Sequence, residues 1–309
     1  MTDKIYDVIM VGAGPSALTA AIYTTREDLD TVLYEKAVVG GMAAITDRVD
    51  NYPGFPDGVE GMILTEQMKK QAENFGAKIE MGDVSAVRHE GDLNIVTVNG
   101  GEVSAKTVLI ATGSDYNKIG APGETEFYGR GVHYCATCDG AFYRGKKLVV
   151  VGGGNSAVQE AIFLTRFSSH IDLLVRSTIK ASDVLQKELQ KMVDESKISV
   201  HLGTTTDEII GDNGRVVSVR VTSDGGSRLI KTDGVFVFAG LKPNTGFLEG
   251  SGIELDEDKF IKTDCHLQTN LPGVFASGDV RSGATMQVAS AVGEGATAAL
   301  GIREYLGSL

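Results

Sequence analysis

The chain has 309 residues, among them 39 glycines and no tryptophan, and a formal net charge of −12. That length accommodates two domains with separate cores, and the glycines point to tight turns and close backbone approaches rather than to a disordered segment. The acidic balance disfavours non-specific binding to nucleic acid or anionic membrane surfaces, which needs clustered Lys and Arg, so small molecules or another protein are the expected ligands.

The N-terminal residues lack a signal-peptide apolar core, and no span of about 18 apolar residues occurs; a cytoplasmic protein is expected. Three cysteines are too few for a disulfide framework.

Residues 6–11 read as a buried parallel strand leading into Gly12-Ala13-Gly14-Pro15-Ser16-Ala17 and a helical run over 18–25. This is G-x-G-x-x-A between a strand and a helix: Gly12 for the tight turn, Gly14 for close approach to a pyrophosphate, Ala17 for helix–strand packing. A second strand, 31–35, ends in Glu35 with Lys36 beside it, about twenty residues on, where a ribose hydroxyl is gripped in such units.

Gly40-Gly41-Met42-Ala43-Ala44 and Val49-Asp50-Asn51-Tyr52-Pro53-Gly54-Phe55-Pro56 read as shaped loops. An amphipathic helix over 63–75 and β-rich segments near 78–87, which contains Val84, and 92–98 follow. Residues 108–113 form a buried strand ending in Ala111-Thr112-Gly113, either a close approach to a cofactor or an ordinary turn.

After a connector at 119–123 comes His133-Tyr134-Cys135-Ala136-Thr137-Cys138-Asp139-Gly140. Two thiols three residues apart, with a carboxylate beside the second, suit a disulfide that closes and reopens to store two electrons. An incidental pair and half of a zinc site compete with that reading. Zinc needs four ligands, and only Cys265 remains, so no metal site is expected. Asp139 reads as an acid/base group or a turn carboxylate, His133 as a tuner of the thiols or a plain loop side chain. Cys265, in a polar strand-like stretch, reads as an unpaired structural thiol.

A second unit follows at once: a strand over 147–151, Gly152-Gly153-Gly154-Asn155-Ser156-Ala157, and a helix over 158–167. Two framed fingerprints and a dithiol describe a flavoprotein disulfide reductase, with a nicotinamide donor, a flavin relay and a dithiol acceptor. Segments 198–202, 215–223 and 228–239 read as strands of the second unit. The chain then returns to the first domain through the strand and turn of Gly273-Val274-Phe275-Ala276-Ser277-Gly278-Asp279. A helix over 287–305 closes the chain; either its positive N-terminal end faces a flavin ring or it is a core helix.

The motifs Gly12-Ala13-Gly14-Pro15, Gly40-Gly41, Asn51-Tyr52-Pro53-Gly54, Ala111-Thr112-Gly113, Cys135-Ala136-Thr137-Cys138-Asp139-Gly140, Gly152-Gly153-Gly154-Asn155-Ser156-Ala157, Gly278-Asp279 and Gln287-Val288-Ala289 together resemble the low-molecular-weight thioredoxin reductases of bacteria and archaea, over essentially the whole chain. The resemblance implies an α/β fold of two Rossmann-like dinucleotide-binding domains, the second inserted into the first. An FAD-binding domain would span 1–116 and 246–309, and a pyridine-nucleotide domain carrying the Cys-x-x-Cys would span 117–245. It also implies a homodimer, a thioredoxin-like dithiol protein as partner, and rotation of one domain on hinges near 113–123 and 240–246.

Implied cofactor-binding residues in the first domain are Gly12, Gly14, Pro15, Ser16, Glu35, Lys36, Gly41, Met42, Asn51, Val84, Ala111, Thr112, Gly113, Gly278, Asp279, Gln287, Val288 and Ala289. In the second they are Gly152, Gly154, Asn155, Ser156 and Arg176. Hydride would pass from the nicotinamide to FAD and two electrons on to the Cys135–Cys138 disulfide. Cys138 would be the thiol nearest the flavin, Cys135 the one that attacks the partner, and Asp139 the acid/base group.

NADPH-using members carry His-Arg-Arg after the second unit's second strand and a further Arg just beyond, where this chain has Val175-Arg176-Ser177 and Thr178-Ile179-Lys180-Ala181; Asn155 stands where Asp is usual. A 2′-phosphate clamp needs several fixed cations, so strong NADPH preference is not expected, and NADH or reduced ferredoxin are the other candidate donors. A small-molecule dithiol oxidase and a flavin-binding redox sensor are the competing functions.

Overall fold

The computed structural model describes residues 4–46 and 48–309, and the chain divides into two units, Met1–Asp115 with Lys242–Leu309, and Tyr116–Leu241. At the centre of the first lies the strand Ile5–Val11. Its apolar, largely β-branched run is buried on both faces, as parallel strands require. It pairs in parallel with Thr31–Glu35 on one side and Gly101–Ile110 on the other. Lys78–Met81 extends the first edge. Beyond Gly101–Ile110 the sheet turns antiparallel through Leu93–Val98 and Val84–Glu90, while Val274–Ala276 pairs in parallel with the C-terminal half of Gly101–Ile110.

Alternate residues of the central strand face opposite layers. Val8 and Met10 pack with Leu18, Leu64, Met68, Ala298 and Ile302 of the helices Pro15–Thr25, Gly61–Asn74 and Val288–Gly307. Ile9 and Val11 pack with Val84, Val96, Leu248 and Ile261 on the other side. The small residues of Val288–Gly307 serve its contact with Pro15–Thr25: a side chain at Gly295 would run into the Ser16 carbonyl.

The second unit repeats the plan with strands Ile198–Leu202, His170–Val175, Lys147–Val151, Gly234–Val237 and Val132–His133, in that order and all parallel. The helices Asn155–Leu164 and Asp183–Asp194 cover it. An antiparallel sheet of Thr205–Asp212, Arg215–Ser223 and Gly226–Lys231 completes the unit.

Four details differ from the sequence reading. Residues 228–239, read as one strand, belong to two sheets, because Thr232 turns the chain by bonding its hydroxyl to the Lys147 and Gly234 carbonyls. Gly41–Ala44, read as loop, is one helical turn entered through Gly40 at φ 99°, with Ala43 and Ala44 buried. The helices after the two glycine motifs begin at Pro15 and Asn155 rather than at 18 and 158. Cys265 lies in an exposed turn rather than a strand, because Asp264 accepts the His266 and Gln268 amides and folds the backbone back.

Candidate active site

In the first unit the residues singled out in sequence converge on the carboxyl ends of the parallel strands, where ligands bind in open α/β sheets. Gly12 turns at φ 98°, and a Cβ there would lie 2.6 Å from the Ala111 carbonyl oxygen. A Cβ on Gly14 would meet nothing within 4 Å. Gly14 caps Pro15–Thr25 with no side-chain hydrogen bond, so the first-turn amides face open space. Gly41, at the start of the neighbouring helical turn, approaches Gly14, and the Gly40 amide donates to the Ala13 carbonyl at 2.8 Å.

Glu35 is 9% exposed and braces this loop: its carboxylate accepts the Ala13 amide at 2.8 Å and the Ala37 amide at 2.9 Å. The Ser16 and Ser277 hydroxyls lie 2.6 Å apart, which joins the helix N-terminus to the turn at Gly278 and Asp279. Burial, with the Glu294 charge second, pushes the Asp279 carboxyl up to about 6. No side chain or amide of the described residues donates a hydrogen bond to it. Asn51 donates to the Gln287 side chain at 3.0 Å, bringing the Asn51 loop to the start of Val288–Gly307, so Gln287, Val288 and Ala289 form its N-terminal entry.

Thr112 and Gly113 exchange three bonds with Asn244, at 2.8, 3.0 and 3.0 Å, and these tie the segment after Lys242 to the first unit. Met42 is exposed and Val84 is buried in the core, where only its backbone remains for a ligand. Lys36 is exposed.

In the second unit Gly152 turns at φ 144° against the Phe238 carbonyl, where a Cβ would lie 2.5 Å from the oxygen. Gly154, like Gly14, opens onto free space at the head of its helix. Asn155 spends its carbonyl oxygen on the Ser182 amide at 2.8 Å. The main chain of Lys180 is fixed on the Gly153 carbonyl at 2.7 Å. Ser156, Arg176 and Lys180 are exposed.

The edge strand Val132–His133 runs parallel to Gly234–Val237 and so leads to Cys135 and Cys138 from its carboxyl end, the same end of the sheet at which this glycine turn follows the central strand. They form a disulfide, with Cys138 exposed and Cys135 half-buried. Cys135 caps the one-turn helix Ala136–Asp139, its sulfur accepting the Cys138 amide at 3.2 Å. Upstream, Glu124 is 1% exposed and accepts the Tyr134 hydroxyl and the Ile119 and Gly120 amides, which fixes the approach to Cys135.

Several structural residues carry no sequence signal. Glu124, Arg281 and Glu294 belong to no motif, and only their burial in the fold singles them out. Asn244 lies in the Lys-Pro-Asn turn, which sequence marks only as a turn.

Two dinucleotide-type units and a disulfide at the edge of one define a nucleotide-dependent disulfide oxidoreductase. Residues 6–295 match the family described as pyridine nucleotide-disulphide oxidoreductase. Thioredoxin reductase of Listeria innocua is 43% identical over 99% of this chain and 96% of its own, and that of Bacillus subtilis is 41% identical over the same shares. Thioredoxin reductase from Streptococcus pyogenes superposes with a TM-score of 0.94 at 37% identity over 100% of both chains. The chain therefore belongs to the pyridine nucleotide-disulphide oxidoreductase family, in its thioredoxin reductase branch.

That branch is FAD-dependent, with NADPH as the usual donor. The residues present fit FAD: uncapped helix amides and an open Gly14 suit a pyrophosphate, and a half-buried Asp279 without a donor suits a ligand hydroxyl. Among the described residues no helix is long and apolar enough to cross a membrane.

Proposed function

We propose that the chain reduces the disulfide of thioredoxin, or of a similar dithiol protein, through Cys135 and Cys138. The observation that carries this is the Cys135–Cys138 disulfide next to Asp139 at the edge of a nucleotide-type sheet, in a chain 43% identical over 99% of its length to the thioredoxin reductase of Listeria innocua.

When bound, FAD supplies a two-electron relay between a nicotinamide and this disulfide. The first unit would hold it: Gly12, Gly14, Pro15 and Ser16 at the pyrophosphate, Glu35 and Lys36 toward the adenosine ribose, and Asp279 on a chain hydroxyl. Gly41, Met42, Asn51, Val84, Ala111, Thr112, Gly113, Gly278, Gln287, Val288 and Ala289 would line the remainder. In the second unit Gly152, Gly154, Asn155, Ser156 and Arg176 would hold the nicotinamide nucleotide.

Once reduced, Cys135 attacks the partner's disulfide as a thiolate, forming a mixed disulfide and releasing one partner thiolate, which takes a proton from solvent. Cys138 then gives its proton to Asp139 and attacks the Cys135 sulfur. The second partner thiolate leaves and takes that proton from Asp139, which returns to its ionised form as the enzyme disulfide is restored. Two electrons and two protons have passed to the partner.

A homodimer in the cytoplasm is the setting we propose. For the donor we propose a site tolerant of NADH, since Arg176 and Lys180 are the cations left near the 2′ position and both side chains are exposed. The test is direct. The purified yellow protein is mixed anaerobically with NADPH or NADH and oxidised thioredoxin, and new thiols are counted. Catalytic thiol release supports the reading; a flavin-loaded protein that produces none refutes it.

A further inference from the structure

We infer that His133 is a positioning residue for Asp139, the middle member of a Tyr143–His133–Asp139 line inside the second unit; the inference deepens the disulfide-reductase reading above and rests on it. His133 is 7% exposed. Its Nδ1 lies 3.3 Å from Asp139 Oδ2, and its Nε2 lies 2.7 Å from the Tyr143 hydroxyl. The ring has little freedom to turn, because it stacks on Phe236 at 5.2 Å and meets Tyr143 edge-on at 5.3 Å. Gly234 makes room for that arrangement: a Cβ there would lie 2.5 Å from the Tyr143 ring.

The partners select one tautomer. The Asp139 carboxylate, 3.3 Å away, favours the proton on Nδ1 by its charge rather than through an aligned hydrogen bond, and the Nε2 lone pair is left to accept the phenol O–H. Tyr143 is suited to donate, since burial first, and the Asp139 charge next, push its hydroxyl upward. Arg215 and Asp233 are the other charged groups that act on Tyr143, with opposite signs. The strand Gly234–Val237 presents Phe236 to the ring and no charge.

The consequence falls on the thiols. Asp139 ends a one-turn helix directly after Cys138, where no other side chain of the described residues bonds its carboxylate. With one oxygen drawn toward His133, the other is left for the sulfurs, and part of the carboxylate charge is offset by the Nδ1–H. Without that donor the full charge acts on the thiols and raises the pH at which they ionise. A histidine that merely filled the core would leave their ionisation where it is.

The experiment uses the FAD-loaded protein, reduced anaerobically with dithiothreitol and freed of reductant. The rate of iodoacetamide alkylation at Cys135 and Cys138 is followed by mass spectrometry from about pH 5 to about pH 10, a range that brackets ordinary thiol ionisation. The expected result for His133→Phe is a curve moved to higher pH by about one unit. His133→Asn, whose amide N–H stands near the Nδ1 position, restores most of it, and Tyr143→Phe moves the curve the same way by less.

Curves for His133→Phe and Tyr143→Phe that superpose on wild type overturn the inference, as does a shift that His133→Asn fails to correct. If His133→Phe sheds its flavin, the other two variants decide: asparagine at wild type with Tyr143→Phe shifted supports the inference, and both at wild type overturn it. Alkylation needs no partner protein, so the result stands apart from thioredoxin turnover by the wild-type enzyme, whose absence would count against the proposed function alone.

Discussion

The Glu294 carboxylate accepts the Gly278 amide at 2.7 Å and so ties the long helix Val288–Gly307 to the turn that presents Asp279. Arg281 completes the link with bonds of 2.7 and 2.6 Å to the two oxygens of the same carboxylate. The pair is largely shielded, at 20% and 13% side-chain exposure. Removing one partner of such a pair costs about 3 kcal/mol when it is not wholly buried. Glu294→Ala is expected to melt several degrees lower than wild type and to retain less FAD, with Glu294→Gln between them. Thermal melts and the ratio of flavin to protein absorbance check this.

Gly12 and Gly14 stand two residues apart and are expected to fail differently. Alanine at Gly12 brings a Cβ within 2.6 Å of a backbone oxygen at a φ of 98°, a clash that the backbone has no easy way to relieve. Gly12→Ala should lose about 2 kcal/mol or more of stability, as strained backbone positions do. Alanine at Gly14 meets no protein atom and has φ −75°. Gly14→Ala should melt like the flavin-free wild type yet bind FAD poorly, because its methyl group occupies pyrophosphate space. Melting curves and FAD titrations on both apoproteins separate the two outcomes.

Asp279 gives a signed pH dependence. Its folded-state value is raised from 3.8 to about 6, chiefly by burial. A raised carboxylate binds its proton more tightly when folded, so its contribution is fully present at low pH and is lost as pH climbs through that interval. In the flavin-free protein, Asp279→Asn should therefore gain stability relative to wild type between about pH 4 and about pH 6 and hold that gain above it. Urea midpoints for both proteins across this range measure it; a constant difference would count against the buried carboxylate.

Donor choice follows from the second unit. Charge-assisted bonds to a phosphate contribute about 1.5–3 kcal/mol each, so a clamp missing two of them gives up at least about a hundredfold in discrimination. Stopped-flow reduction of the bound flavin is expected to show NADPH and NADH within about tenfold of one another. A preference of about a hundredfold or more for NADPH would show that Arg176 and Lys180 rebuild the clamp.

The elements most legible in sequence are those where one physical rule decides. The strands at 31–35 and 147–151 agree with the structure to the residue, because each is a short, largely buried apolar run with no competing conformation. Legibility ends where tertiary partners decide. The division of 228–239 at Thr232 depends on the Lys147 carbonyl, far away in sequence. The strand Thr205–Asp212 has too little apolar alternation to stand out and forms by pairing with Arg215–Ser223. In the site, the glycines and cysteines carry their own spacing as a signal. Glu294, Arg281 and Glu124 are single charges whose meaning appears only when the fold buries them beside amides.

The central claim is that Cys135 and Cys138 carry the electrons to the partner, and single serine substitutions test it most directly. Thioredoxin reduction is measured for wild type, Cys135→Ser and Cys138→Ser, each loaded with FAD and given saturating nicotinamide donor. The account predicts turnover by wild type, none by either variant, FAD retained in both, and, as the family resemblance implies for Cys138 as the thiol nearest the flavin, a long-wavelength charge-transfer band in Cys135→Ser. Thioredoxin reduction at the wild-type rate by either variant would contradict it.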